Sequence, residues 1–323
     1  MRGESVLEVL ATGPFALVQD RGRAGHAHLG VTGSGAADRA AAAAANRLVG
    51  NLPDAAVIEM VSGGLSLRVT GTVLLATAGA PGTVRVDRGS VPQTAPRLTG
   101  RRVRIPVQYP VGWSVTAFAG DVVTVLPPER GLRSYLAVRG GVAVERVLGS
   151  RSTDVLSGLG PAPLAPGDRL PLGDENGAWP AADFIPPALP RDGASAASLH
   201  IVRGPRDDWF GDDGWRRLLE QPWVVGVESN RVGVRLEGAH PLEREVLWRE
   251  VELPSEGMVA GAVQVPPGGE LVVFGRDHPV TGGYPVIGVI DEPSLDLIAQ
   301  LRPGDQVRFG DQPKSIAASL YRR

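Results

Sequence analysis

The chain contains no cysteine and, among 33 basic residues, a single lysine, Lys314. The first absence excludes disulfides, thiolate metal sites and a cysteine nucleophile. The second removes the lysine that must follow the glycines of a Walker-type phosphate loop. A Schiff base or a biotinylated lysine would have to rest on Lys314, near the C-terminus and without supporting context. Aromatic residues make up only 5%, and a net charge of -2 provides no global basic field for nucleic acid or an anionic membrane. Long apolar runs are missing too. The longest, Ala40–Ala45, falls far short of the roughly 20 residues of a membrane span. Residues 1–20 carry Glu4, Glu8 and Asp20 and lack the apolar core of a signal peptide. A soluble, cytoplasmic protein is expected.

What the chain does hold is glycine and proline. Gly 43 and Pro 28 make up about a fifth of its 323 residues, a balance that suits short strands joined by many turns. At roughly 100–200 residues per domain, two domains are expected. Val- and Leu-rich stretches bounded by Gly or Pro read as strands at Val6–Val9, Leu65–Val69, Val73–Ala76, Val122–Leu126 and Ser134–Val138. Five more follow at Leu199–Val202, Val232–Leu236, Leu271–Phe274, Val286–Ile290 and Val307–Phe309. This spacing predicts a mainly β chain, its sheets curled into barrels or sandwiches. Three helices interrupt it, over Ala36–Val49, Gly211–Gln221 and Ser294–Leu301. The proline-rich stretch containing Pro180, Pro186, Pro187 and Pro190 marks a linker, giving domains at 1–180 and 198–323 with 181–197 between them. A short turn recurs as Ala119-Gly120-Asp121, Pro166-Gly167-Asp168 and Pro303-Gly304-Asp305, each feeding a strand.

Familiar catalytic signatures are absent: no nucleophile elbow, no H-E-x-x-H and no dinucleotide fingerprint. His26 and His28 would share a strand face and can hold a metal there, but no third ligand lies nearby; a surface pair is the simpler reading. Asp207, Asp208, Asp212 and Asp213 suit either a cation or the solvated first turn of a helix. Two polar segments stand out. In the first, Gln19-Asp20-Arg21-Gly22-Arg23 crowds amide, carboxylate and guanidinium groups between glycines, fit to face a ligand or to tie down an N-terminus. The second gathers Ser255-Glu256-Gly257, Gln264, Gly275-Arg276-Asp277-His278 and Thr281-Gly282-Gly283-Tyr284-Pro285 at turns between strands. Asp277 beside His278 suggests an acid/base pair, although adjacent residues on an extended chain face opposite ways. The Gly282–Gly283 amides can approach an anion or oxyanion, or simply form a tight turn under Tyr284.

These segments also carry a resemblance. Gln19–Arg23, Ala45-Asn46-Arg47-Leu48-Val49-Gly50-Asn51, Arg133–Gly141 and Ser150-Arg151-Ser152-Thr153-Asp154 resemble the biotin-dependent carboxyltransferase (allophanate hydrolase subunit 2) family. Asn230–Gly238, Ser255–Gly257, Gln264 and Thr281–Pro285 continue it in order. The resemblance implies two cyclophilin-like β-barrel domains with a few short helices. Standalone bacterial members include the C component of an ATP-dependent 5-oxoprolinase, which opens the 5-oxoproline lactam to glutamate. Its partners are a B-type component of the allophanate hydrolase subunit 1 family and an A-type component. Other members form the carboxyltransferase part of urea carboxylase, or antagonise a kinase inhibitor without catalysis. ATP is the implied cofactor, held by the complex or by this chain, and biotin is not carried here. No metal is implied. The chemistry of opening an anionic lactam nominates Asp277, Glu256 and Tyr284 for catalysis, and Arg23, Arg151, Gln264, Gly282 and Gly283 for substrate binding. Two departures are visible: Ala37 replaces the usual leucine before Asp38, and Pro279-Val280 replaces a Gln-Thr pair, so neither side chain there can hydrogen bond.

Overall fold

The computed structural model describes residues 6–89, 97–98, 101–102, 106–175, 178–188 and 196–311. Lys314, Pro190 and residues 189–195 of the expected linker lie outside the described residues. By their contacts, Met1–Gly25 and Gly33–Arg191 form one compact unit, and His26–Thr32 with Asp192–Arg323 form another.

The first unit packs two antiparallel sheets face to face. One runs, edge to edge, Arg169–Pro171, Val6–Thr12, Leu65–Val69, Val122–Val125, Thr83–Asp87 and Val107–Pro110. The other runs Ser114–Ala117, Val73–Gly79, Arg133–Val138, Val57–Val61 and Phe15–Gln19. Alternation drives the packing. Leu65, Leu67 and Val69 point inward while Ser66 and Arg68 point out, because successive side chains on a strand face opposite ways. These residues join Leu7, Val9, Ile58, Met60, Leu75, Val123 and Leu136 in one core. Arg133–Val138 breaks the alternation by being buried at every position. Helix α1 (Arg39–Leu48) lies on its outer face, where Ala41, Ala42, Ala44 and Ala45 meet Ala76, Ala78 and Ala137. Small residues on both sides let helix and sheet approach closely.

The second unit is a closed seven-stranded barrel: Ala197–Arg203, Val286–Ile290, Ala262–Gln264, Leu271–Phe274, Gly233–Gly238, Trp223–Val225 and Gln306–Gly310. Its last strand returns to the first in parallel, Ala197 against Val307 through His200 against Gly310. Closure removes the free edges that an open sheet would expose. Trp215 and Leu218 of helix α2 (Gly211–Glu220) and Leu295 and Ile298 of helix α3 (Glu292–Ile298) join Trp223, Leu236, Val263 and Ile287 in its core. The mainly β expectation holds, with each of the ten expected strands present.

Helix limits needed correction. The first helix, expected from Ala36, starts at Arg39 because Asp38 caps it: its carboxylate accepts the Ala41 N–H at 2.8 Å. The third, expected from Ser294, starts at Glu292. Asp291 accepts the Ser294 N–H at 2.9 Å, and Pro293 sits inside the first turn, where its missing N–H would have had no partner. His26 and His28 do not share a strand face; they flank and occupy a 3-10 turn, Ala27–Leu29, closed by Gly30 at φ 76°.

The recurrent turn is one structure used three times. Gly120, Gly167 and Gly304 have φ of 87°, 96° and 91°, a region that favours glycine. In each, the aspartate N–H donates to a carbonyl three residues back: Phe118 at 2.9 Å, Ala165 at 3.1 Å and Arg302 at 3.0 Å. Its carboxylate in turn accepts that same residue's N–H, at 2.9, 2.8 and 2.7 Å. The three turns launch the strands Val122–Val125, Arg169–Pro171 and Gln306–Gly310.

Asp121 is the most heavily engaged of the three, also accepting Gly89 N–H at 2.8 Å and Arg88 Nη1 at 2.7 Å. Burial alone would raise its carboxyl, but the N–H groups of Phe118 and Gly89 and the Arg88 guanidinium outweigh it and hold the group below its ordinary value. A depressed folded value means that the stabilisation is fully present above the unfolded carboxylate range near ~3.9 and is lost as pH falls through the folded value. Asp121→Asn is expected to cost about 2 kcal/mol at pH 7, the scale of a hydrogen bond to a charged group. In urea unfolding, the gap to the unsubstituted chain should narrow as pH drops from 6 to 3; a constant gap would rule out this role.

Candidate functional site

In the first unit, the strand Phe15–Gln19 delivers Asp20 to the base of a tight hairpin spanning 147–150. Asp20 Oδ1 accepts from the Gly22 N–H at 2.7 Å and from the Ser150 and Ser152 hydroxyls, both at 2.6 Å. Oδ2 accepts the Arg151 N–H at 2.6 Å. Gln19 reinforces the junction from the strand side, its Nε2 donating to the Thr153 carbonyl at 2.8 Å. The hairpin closes with Val147 paired to Ser150, and Leu148 and Gly149 have φ of 51° and 83°. Two positive φ values in succession match the two-residue turn whose twist suits a hairpin.

Arg23 and Arg151 lie beside this knot. Arg23 is only 2% exposed; its guanidinium donates to the Ser152 carbonyl and, at 3.4 Å, to that of Val147, while Nη1 finds no acceptor. Arg151 donates through Nε to the Val144 carbonyl at 2.7 Å. Burial lowers the Arg151 pKa, nearby Arg146 lowers it further, and Asp20 opposes both. Beside the hairpin opens a polar cleft of about 280 Å³, lined by Asp20, Arg21, Gly22, Pro53, Asp54, Arg146 and Gly149.

The second unit gathers the other six predicted residues. The short ladder Glu256–Gly257 against Thr281–Gly282 sets Glu256 directly opposite Gly282. Gln264, on the barrel strand beside it, donates through Nε2 to the Tyr284 carbonyl at 2.9 Å. Gly282 sits close under two side chains: a Cβ there would come within 2.8 Å of Gln264 Nε2 and 3.3 Å of Met258, so the Gln264 amide would have to shift. At Gly283, by contrast, a Cβ would make only an ordinary 3.7 Å contact with the Leu253 carbonyl. Tyr284 is 45% exposed. Glu256 pairs with Arg206, whose Nε lies 3.0 and 3.2 Å from its two oxygens and whose Nη2 also donates to it.

Asp277 is fully buried and held at two points by Arg231, Nε to Oδ2 at 3.0 Å and Nη2 to Oδ1 at 3.2 Å. Its neighbour His278 places Nδ1 2.8 Å from the Pro279 carbonyl, and since a carbonyl only accepts, Nδ1 carries the proton. The Val280 carbonyl accepts the Met258 N–H at 2.9 Å. At Pro279 and Val280, where the family's side-chain donors are missing, the backbone carbonyls are in use.

Sequence reasoning missed the partners that fix these groups. Arg206 and Arg231 set the orientations of Glu256 and Asp277, and Asp20, Ser150 and Ser152 tie two distant motifs. Arg231, Ser150 and Ser152 sat inside motifs already noted, whereas nothing in the local sequence marks Arg206. Three of the four aspartates of the acidic run form ion pairs: Arg203 bridges Asp207 and Asp212, each at 2.9 Å, and Arg216 meets Asp213 at 2.7 Å. Among the described residues no group of three or more His, Asp or Glu is arranged to hold a metal, and no helix is long and apolar enough to cross a membrane.

This fold and these motifs define a class. Residues 29–311 match the family described as carboxyltransferase domain, subdomain A and B, and the chain belongs to that family. It is 33% identical over 309 residues to the C component of 5-oxoprolinase from Escherichia coli K12, spanning 94% of this chain and 90% of that one. It is 28% identical to the urea amidolyase of Lachancea kluyveri over 97% of its own length but only 17% of that protein's. The crystal structure of TTHA0988 superimposes with a TM-score of 0.78 at 33% identity, covering 96% of this chain and 56% of that one. The chain therefore spans nearly all of the E. coli protein, about half of TTHA0988 and under a fifth of the urea amidolyase.

The buried ion pair gives a direct stability test. Arg231→Met is expected to cost about 3–5 kcal/mol in urea unfolding, because it removes the two-point guanidinium partner of a fully buried carboxylate. Arg231→Met combined with Asp277→Leu should recover most of that loss. A single substitution as mild as a surface change would contradict the pairing.

Proposed function

We propose that this chain is one component of an ATP-dependent 5-oxoprolinase, opening the 5-oxoproline lactam to glutamate together with A-type and B-type partner chains. The observation that carries this reading is length as well as identity: the chain matches the C component of E. coli 5-oxoprolinase across 90% of that protein. The second reading, carboxyl transfer from carboxybiotin to urea nitrogen, is favoured by the family itself and by the urea amidolyase match along 97% of this chain. Both reactions require a base and donors to a carbonyl or ureido oxygen.

Of the two candidate bases, Glu256 is favoured. Its carboxylate is 26% exposed and within reach of solvent, whereas that of Asp277 is 0% exposed; each is paired with an arginine, so exposure separates them. Gln264 and the Gly282–Gly283 amides are the proposed oxygen donors, and half-exposed Tyr284 shapes the mouth of that region. In the first unit, Arg23 and Arg151 are the proposed carboxylate binders, and both direct donors to backbone carbonyls. ATP fits this chain poorly. It has no Walker lysine, and the cleft beside Arg21 and Arg146 also carries the free carboxylate of Asp54, which repels a triphosphate. In this reading ATP meets a partner chain.

Reconstitution with the products of neighbouring genes tests the reading. ADP and glutamate should form together, only with 5-oxoproline present and only when this chain is included. Glu256→Gln should lower kcat by about 100-fold or more, the usual contribution of a positioned base. A stable complex without turnover would contradict the proposal, and transfer of the carboxyl group from carboxybiotin to urea, with allophanate and free biotin formed together, would then establish the second reading.

A further inference from the structure

The cleft beside the 147–150 hairpin has an arrangement that the proposed reaction leaves unassigned. Arg21 and Arg146 line it and are exposed. Among the described residues, the Arg21 guanidinium has no hydrogen-bond partner, and that of Arg146 has one, the Gly149 carbonyl at 3.3 Å. Both therefore keep donors for a ligand. Behind them stand Arg151, close enough to Arg146 for the two cations to repel, and buried Arg23 with its unpartnered Nη1.

The cleft also contains two carboxylates, and they are not equivalent. Asp20 is shared among four protein donors at 2.6–2.7 Å, so its charge is already dispersed. Asp54 is exposed and makes no hydrogen bond or ion pair among the described residues. A cleft with free guanidinium donors and one free carboxylate attracts an anion but penalises a second negative charge. It also offers an acceptor to a ligand that brings its own N–H. The hairpin tip beside it holds Leu148 at φ 51°, a left-handed conformation that strains a non-glycine residue and persists where the surroundings enforce it.

We propose that this cleft binds a small monocarboxylate carrying an adjacent N–H group, its carboxylate between Arg21 and Arg146 and its N–H toward Asp54. Bidentate contact suits guanidinium to a carboxylate, and Asp54 discriminates for the N–H and against dianions such as phosphate. The choice of 5-oxoproline as probe rests on the reaction proposed above; the site does not.

Isothermal titration of the full chain tests the assignment with three probes: 5-oxoproline, its lactone counterpart with a ring oxygen in place of N–H, and inorganic phosphate. Saturable binding of 5-oxoproline is expected, weakened about 10-fold or more by Arg146→Gln or Arg21→Gln. The lactone should bind several-fold more weakly than the lactam, and Asp54→Ala should abolish that difference. All three side chains are exposed, so the variants should retain the thermal midpoint of the parent chain. Phosphate binding more tightly than 5-oxoproline, an affinity unmoved by Arg146→Gln, or no saturable binding of any probe would overturn the site. Turnover by the reconstituted complex without saturable binding of 5-oxoproline to this chain would overturn the site and spare the reaction. Binding to this chain by a complex that does not turn over would do the reverse.

Discussion

The Asp20 carboxylate carries the organisation of the first unit's polar region. A single side chain accepts from one backbone N–H in its own turn and from two hydroxyls and a backbone N–H in a segment about 130 residues away. Each of these is a hydrogen bond to a charged acceptor, on the order of 1.5–3 kcal/mol when formed away from water. Their number matters less than their destination. They join the Gln19–Arg23 motif to the Ser150–Asp154 motif, fix the direction of the hairpin between Val147 and Ser150, and leave Arg21 and Arg146 facing the cleft. Without Asp20, Ser150 and Ser152, each fully buried, would lose their acceptor.

A second constraint is the reliance on arginine. With almost no lysine, the described cationic contacts near the candidate sites are made by guanidinium groups, and they take two forms. Where a carboxylate must be held in one orientation, the contact is two-pointed, as in Arg231–Asp277 and Arg206–Glu256. Where none is available, as at Arg23, the planar fork reaches backbone carbonyls instead. A lysine ammonium offers neither geometry. The two acidic candidates differ in exposure: the Asp277 carboxylate is fully buried, and that of Glu256 remains in contact with solvent.

Much of the fold was legible in the sequence. Alternation in Leu65–Val69 and the apolar runs of Val286–Ile290 and Leu271–Phe274 mark strands because burial on one or both faces imposes those patterns. The Gly-Asp turns were visible for the same reason: a positive φ needs glycine, and the aspartate closes the turn within four residues. Helix starts were harder, since Asp38 and Asp291 read equally well as first-turn residues or caps until their hydrogen bonds are known. The family motifs pointed to Arg23, Arg151, Asp277 and Glu256, but not to what each one touches. Arg206 lies 50 residues from Glu256, and Asp20 about 130 from Ser150 and Ser152. Such pairings depend on strand order, which no local pattern encodes. The partition of charge in the cleft, with Asp20 satisfied and Asp54 free, is likewise a property of the folded chain alone.

The role of Asp20 can be measured directly by amide hydrogen exchange on Asp20→Asn. An asparagine keeps the size of the side chain but loses the charge and replaces one acceptor with a donor. The account predicts that the Gly22 and Arg151 amides and the 147–152 hairpin lose protection together, while the barrel strands Leu271–Phe274 and Val286–Ile290 exchange as before. Unchanged protection at Gly22 and Arg151 would show that backbone packing, and not the Asp20 carboxylate, holds the two motifs in place.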